Sequence, residues 1–82
     1  MKITKTDLEK LVSRLNKIHG FNDPEWNTIG SYHLHISGYG ISIEKIKNEF
    51  GAASLVAGIN GMSKQECYYF LIGLLEGGKQ HE

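Results

Sequence analysis

The chain has 82 residues, enough for one small domain, and folding such a chain buries only about 60–65% of the surface that its unfolded form exposes. Nine Lys and Arg against nine Asp and Glu leave no formal net charge, so the basic excess that a general DNA- or RNA-binding domain sets against phosphates is missing. No apolar run approaches the ~20 residues that cross a bilayer, residues 1–5 hold no apolar signal core, and Cys67 stands alone, so the expectation is a cytoplasmic protein with a reduced, buried thiol and no internal disulfide.

The first predicted element is a helix over residues 6–19. Thr6-Asp7-Leu8-Glu9 fits a capping box, in which Thr and the Glu three residues on satisfy each other's orphan amides. Leu8, Leu11, Val12, Leu15 and Ile18 recur at helical spacing as one apolar stripe, with Lys10, Arg14 and Lys17 on the wet side. Gly20 follows as a C-terminal cap. The segment from Phe21 to Thr28 holds the only Pro and the only Trp and reads as a loop whose two aromatics fold back on the core.

Two strands follow, over 31–37 and 40–46. Tyr32, Leu34 and Ile36 alternate with His33, His35 and Ser37, and Ile41 and Ile43 alternate with Ser42 and Glu44. Strict period-two alternation marks half-buried strands. A two-residue turn at Gly38-Tyr39 pairs Ile36 with Ile41, Leu34 with Ile43 and His33 with Glu44, which keeps all apolar residues on one face. Gly at the first central position suits a type II′ turn. Beyond the hairpin, residues 46–50 fit either more strand or a short turn. Gly51 to Gly61 reads as an irregular, Gly-rich connection with Asn60-Gly61 as a turn signal. A third short strand over 53–59, or sheet pairing between subunits, would relieve the exposed sheet edges.

The last predicted element is a helix over residues 63–76. Ser63-Lys64-Gln65-Glu66 is a second capping box, Met62 can staple onto Cys67, and Gly77-Gly78 is read as the stop, with 79–82 as a frayed tail. Cys67, Phe70, Leu71 and Leu74 form one apolar stripe; Tyr68, Ile72 and Leu75 form another, with Tyr69 beside it. Either the first helix and the sheet cover both stripes, or Tyr68, Ile72 and Leu75 form a homo-oligomer interface. Gly73 in mid-helix costs about 1 kcal/mol relative to Ala, a cost that close helix–helix approach would explain.

The resulting expectation is a single α+β domain spanning 1–82, helix–β-hairpin–helix, with both helices on one face of the hairpin. Tyr32, Leu34, Ile36, Ile41 and Ile43 would meet Leu8, Leu11, Leu15, Phe70, Leu71 and Leu74. The outer hairpin face then carries the chemistry. His33 and His35 project from one side of a strand about 7 Å apart, with Glu44 opposite His33. Their types match a two-His-one-carboxylate metal set. A solvated face with a cross-strand His–Glu pair explains the same pattern without a metal. Neither a metal nor a cofactor is expected. Tyr39, between two glycines, presents an aromatic contact at the hairpin tip. Free amides at Ser63, with Lys64 and Lys45, can receive an anion. The candidate ligand- or partner-binding set is thus His33, His35, Tyr39, Glu44, Lys45, Ser63 and Lys64. No nucleophile–base or paired-carboxylate set is arguable, so no enzyme activity is expected.

The order of these signals resembles a known group. It runs from Leu15-Asn16-Lys17-Ile18-His19-Gly20 through a Pro/Trp loop to Ile29-Gly30-Ser31-Tyr32-His33-Leu34. Gly38-Tyr39-Gly40, Asn48-Glu49-Phe50-Gly51 and Ser63-Lys64-Gln65-Glu66 follow. Over roughly residues 8–76 it is similar to small uncharacterised proteins encoded in tailed-phage and prophage genomes. The resemblance implies an accessory protein acting in the cytoplasm of an infected bacterium by binding. It would sequester a small nucleotide-like signal at a homo-oligomer interface. The alternatives are a blocker of a host defence protein and a structural or packaging accessory without a ligand.

Overall fold

The computed structural model describes residues 2–80. Its elements, in order, are α1 (Lys5–Ile18), β1 (Tyr32–Ser37), β2 (Gly40–Ile46), β3 (Ala53–Met62) and α2 (Lys64–Gln80). The strands form one antiparallel three-stranded sheet in the order β1-β2-β3, and both helices pack on one of its faces. The fold is α+β, as the patterning implies. Among the described residues no helix is long and apolar enough to cross a membrane.

The cap of α1 lies two residues before the expected one. Thr4 Oγ1 accepts from Asp7 N at 3.2 Å, and Asp7 Oδ2 accepts from Thr4 N at 2.9 Å. Starting there puts Ile3 before the cap and Leu8 at the fourth helical position, the pair that forms a hydrophobic staple. Both are buried in the core; a start at Thr6 would have left Ile3 outside it. The other end behaves as expected. Gly20 N donates to Lys17 O and Phe21 N to Asn16 O, the two bonds of a Schellman motif, with Gly20 left-handed at φ +89°.

The hairpin has the expected register: His33 pairs with Glu44, Leu34 with Ile43 and Ile36 with Ile41. Its turn is not type II′. The positive φ falls on Gly40 at +131°, not on Gly38. Glycine also fits position 40 because a Cβ there would meet the backbone of Met62 in β3.

The Gly-rich stretch takes the alternative reading, a third strand, and runs past the expected 53–59 to Met62. β3 pairs with β2 from Ile46↔Ala53 to Ile41↔Met62. It bulges twice: one step from Glu44 to Ile43 spans Leu55 to Ala57, and the next two steps, to Ile41, span Ala57 to Met62. Asn60-Gly61, read as a turn, sits inside the second bulge. Residues 47–52 form the turn into β3, held by Asn48 Oδ1 accepting from Phe50 N and Ala52 N. The Phe21–Thr28 loop folds back on this turn instead of the main core. Trp26 lies over Gly51, and Asn27 Nδ2 donates to Glu49 O at 3.1 Å.

α2 begins at its capping box: Ser63 N donates to Glu66 Oε1 and Glu66 N to Ser63 Oγ, both at 3.1 Å. It continues through Gly77 and Gly78 to Gln80 instead of stopping at Glu76. Gly77 keeps a negative φ, so it never forms the left-handed cap that ends a helix. The expected tail therefore begins inside the helix, and its residues 81 and 82 lie outside the described residues. Cys67, Leu71 and Leu75 face the core, with Tyr68, Phe70, Ile72 and Leu74 packed around them. The proposed interface set is thus drawn into the chain's own interior: Leu75 is 5% exposed, and Tyr68 and Ile72 lie against the same core. Gly73 is exposed, and nothing approaches the place of its missing Cβ, so close helix packing does not explain it. Ile36 keeps the apolar parity but remains half exposed at the open end of β1.

Candidate functional site

With both helices on one face, the other face of the sheet is left open. Alternation puts His33, His35 and Ser37 of β1 and Ser42 and Glu44 of β2 on that outer face, joined by Leu55 opposite Glu44. Near the hairpin tip this face is concave. His35, Ser42, Leu55, Ile59 and Tyr39 line a groove of about 400 Å³. Tyr39 is 90% exposed, Ile59 82% and Leu55 48%, an unusual apolar share for a sheet surface.

The groove's wall depends on the second bulge of β3. Gly61 has φ +83°, and a Cβ built on it would run into the Tyr39 carbonyl. Only glycine lets β3 pass so close to the turn while Ile59 is thrown outward. Among the lining residues there is no Lys or Arg.

The histidines separate in role. Ser31 Oγ gives its one proton to Thr28 O at 2.6 Å, so His33 Nε2, at 2.8 Å from the same oxygen, must be the donor to it. His33 is therefore engaged in holding the approach to β1. Burial keeps its imidazole below the ordinary value of 6.5, with Glu44 acting in the opposite sense. His35 is the freer ring. Its Nδ1 lies 3.8 Å from Glu44 Oε1, so the expected His–Glu contact forms diagonally, with His35 in place of His33. Among the described residues no group of three or more His, Cys, Asp or Glu side chains comes together to hold a metal.

The remaining expected residues do not join this site. Lys45 follows Glu44 and so points to the opposite face, where its Nζ lies 5.5 Å from the Tyr32 ring centre. Ser63 and Lys64 lie outside the groove. The amides at Ser63 and Glu66 are already used by the capping box. Those bonds hold the Glu66 carboxyl below its usual range and set a negative charge where an anion would sit. Cys67 is buried, and burial pushes its thiol up, which keeps it protonated and unreactive.

His35, Tyr39 and Glu44 are thus brought together, His33 stands behind them, and Lys45, Ser63 and Lys64 fall elsewhere. Leu55 and Ile59, absent from the expected set, add aliphatic surface beside Tyr39; the bulges of β3 erase the alternation that would have marked them. Comparison with protein families, with characterised proteins and with solved structures finds no match.

Proposed function

We propose that this chain is a non-enzymatic binding module that recognises a protein partner through the outer face of its sheet. The observation that carries this reading is the open groove at the hairpin tip, where exposed Tyr39, Leu55 and Ile59 gather with no Lys or Arg in the lining. Exposed Tyr beside aliphatic side chains is the composition of a contact surface. A phosphate-bearing ligand would leave its charge unmet there. Joined to the phage resemblance, the reading becomes an accessory protein that blocks a host protein in the bacterial cytoplasm.

In-cell photo-cross-linking tests it. A benzophenone side chain at position 59 should give one discrete protein adduct, and the same group at position 14, on the helix side, should give none. Adducts from position 14 alone would refute the assignment.

A nucleotide-like ligand is the second reading, and one observation favours it on the opposite side of the molecule. Lys2, Lys10, Arg14 and Tyr68, with the carboxylate of Asp7, line a groove of about 360 Å³. A titration with AMP that moves the Tyr68 ring signals, and fails to do so in Arg14→Glu, would support that site.

A further inference from the structure

The two edges of the sheet differ. β3 is interrupted by two bulges, a device that keeps an edge from pairing with another chain. β1 has no such protection: Tyr32–Ser37 runs in unbroken register, with no Pro, no Lys and no bulge. At one end this edge is closed from within the chain. Asn16 Nδ2 donates to Tyr32 O at 3.0 Å, and Tyr32 N donates to Asn16 Oδ1 at 2.7 Å, as a neighbouring strand would bond.

Those two bonds fix a direction. In an antiparallel ladder alternate residues turn their N–H and C=O toward the partner strand and the others turn away. Tyr32 turns away from β2, so Leu34 and Ile36 do as well. Their main-chain groups open onto a groove of about 670 Å³ between β1 and α1, with Val12, Leu34 and Ile36 as its apolar part. Ile36 is 48% exposed there.

We propose that this edge pairs with the same edge of a second copy, antiparallel, about a two-fold axis through His35. The vacant groups are main-chain donors and acceptors at strand spacing, so a strand is the occupant that fits them. Asn16 blocks pairing at Tyr32 and confines the free stretch to the residues around Leu34 and Ile36. An axis through His35 sets Leu34 against the partner's Ile36 and Ile36 against the partner's Leu34, each pair exchanging both bonds. An axis through Leu34 would set Ile36 against the blocked Tyr32, and one through Ile36 would set Leu34 against Gly38, which lies in the turn and outside the strand. β1 carries no Lys, Arg, Asp or Glu, so the strand sets no ammonium or carboxylate against its copy; on the groove wall Lys5 and Glu9 sit 3.9 Å apart and cancel, and Asp23 is the one further charged residue of the lining. The two outer faces become continuous, and the partner's His35 enters beside the groove at the hairpin tip. The pairing does not rest on the proposed function, since it uses the edge and not the face.

Sedimentation of the full chain over a concentration series, with two variants, tests it. Wild type sediments as a dimer. Ile36→Lys, which leaves the β1–β2 ladder intact and places a charge on the edge, weakens dimerisation at least tenfold with an unchanged circular dichroism spectrum. His35→Cys gives an intermolecular disulfide on mild oxidation, because residues directly opposed in a non-hydrogen-bonded pair lie about 4.5 Å apart at Cα, within disulfide reach. Ser42→Cys, on the central strand, does not. A monomeric wild type, a dimer undiminished by Ile36→Lys, or equal cross-linking at positions 35 and 42 would each overturn the proposal.

Discussion

Replacing Asn16 by Ala tests how α1 is fastened to the sheet. Asn16 is the one polar side chain buried in the apolar face of α1, and its amide makes both a donor and an acceptor bond to the backbone of Tyr32. Each such bond contributes about 0.5–1.5 kcal/mol net, and a part-buried backbone group left without a partner costs about 1–3 kcal/mol. Some of the Tyr32 groups regain water when the side chain is truncated, so the expected loss is about 2–3 kcal/mol. In a domain of this size that corresponds to a fall of about 10–20 °C in the unfolding midpoint. Asn16→Asp has the same shape but sets a carboxylate oxygen against Tyr32 O, and is expected to lose at least as much. Urea unfolding at one fixed protein concentration gives the free energies, and amide exchange should show the Tyr32 N–H losing protection before the β1–β2 ladder. A change below about 0.5 kcal/mol for Asn16→Ala, the size of an ordinary surface substitution, would refute the reasoning.

Three further outcomes follow from single positions. Gly61→Ala should destabilise by about 2 kcal/mol or more, because φ is +83° there and the new Cβ meets the Tyr39 carbonyl; an unchanged thermal midpoint would contradict the close passage of β3. Gly73→Ala should stabilise by about 0.5–1 kcal/mol, since the site is helical and nothing occupies the Cβ position. Stability should decline with acid from the His33 range downward. The unfolded chain takes up that proton at the ordinary value of 6.5, whereas burial holds the folded ring lower, so stability present above 6.5 is lost as pH falls toward the folded value. His33→Gln should flatten that part of the curve, and parallel curves for the two proteins would exclude His33 as its source. At lower pH, protonation of Asp7 and Glu66, both held below the usual carboxylate range by their caps, should continue the decline in each protein.

The hairpin register was legible because alternation excludes every one-residue slip of Leu34 and Ile36 against Ile41 and Ile43, and a two-residue turn at Gly38-Tyr39 picks the observed alignment from those that remain. The box at Ser63 was legible for a similar reason: cap chemistry is local. Two Thr residues at the N-terminus both fit a box, and the choice between them depended on where Ile3 could be buried, which is tertiary information. β3 was legible only as an alternative, and its bulges hid its length. Gly58 and Asn60-Gly61 look like turn residues, and the register shifts leave no period. The partner of Asn16 was also beyond reach, since nothing local in a helix marks a bond to a residue 16 positions away. At the site, His35, Tyr39 and Glu44 were readable from alternation. Lys45 was separable by the same rule, as it shares the parity of Tyr32 and Ile43 rather than that of Glu44.

The sheet has an inner face that holds the fold and an outer face, left open by the helices, to which we assign recognition of a partner. The most direct measurement compares stability and binding in one variant, Leu55→Lys with Ile59→Lys, in which the residue opposite Glu44 adds no like charge. If the two side chains belong to a recognition surface, the unfolding free energy stays within about 0.5 kcal/mol of wild type while the cross-linked adduct formed through a benzophenone at position 39 disappears. A loss of several kcal/mol would place both residues in the chain's own core, and an adduct of undiminished yield would show that the partner docks elsewhere; either result would contradict the account.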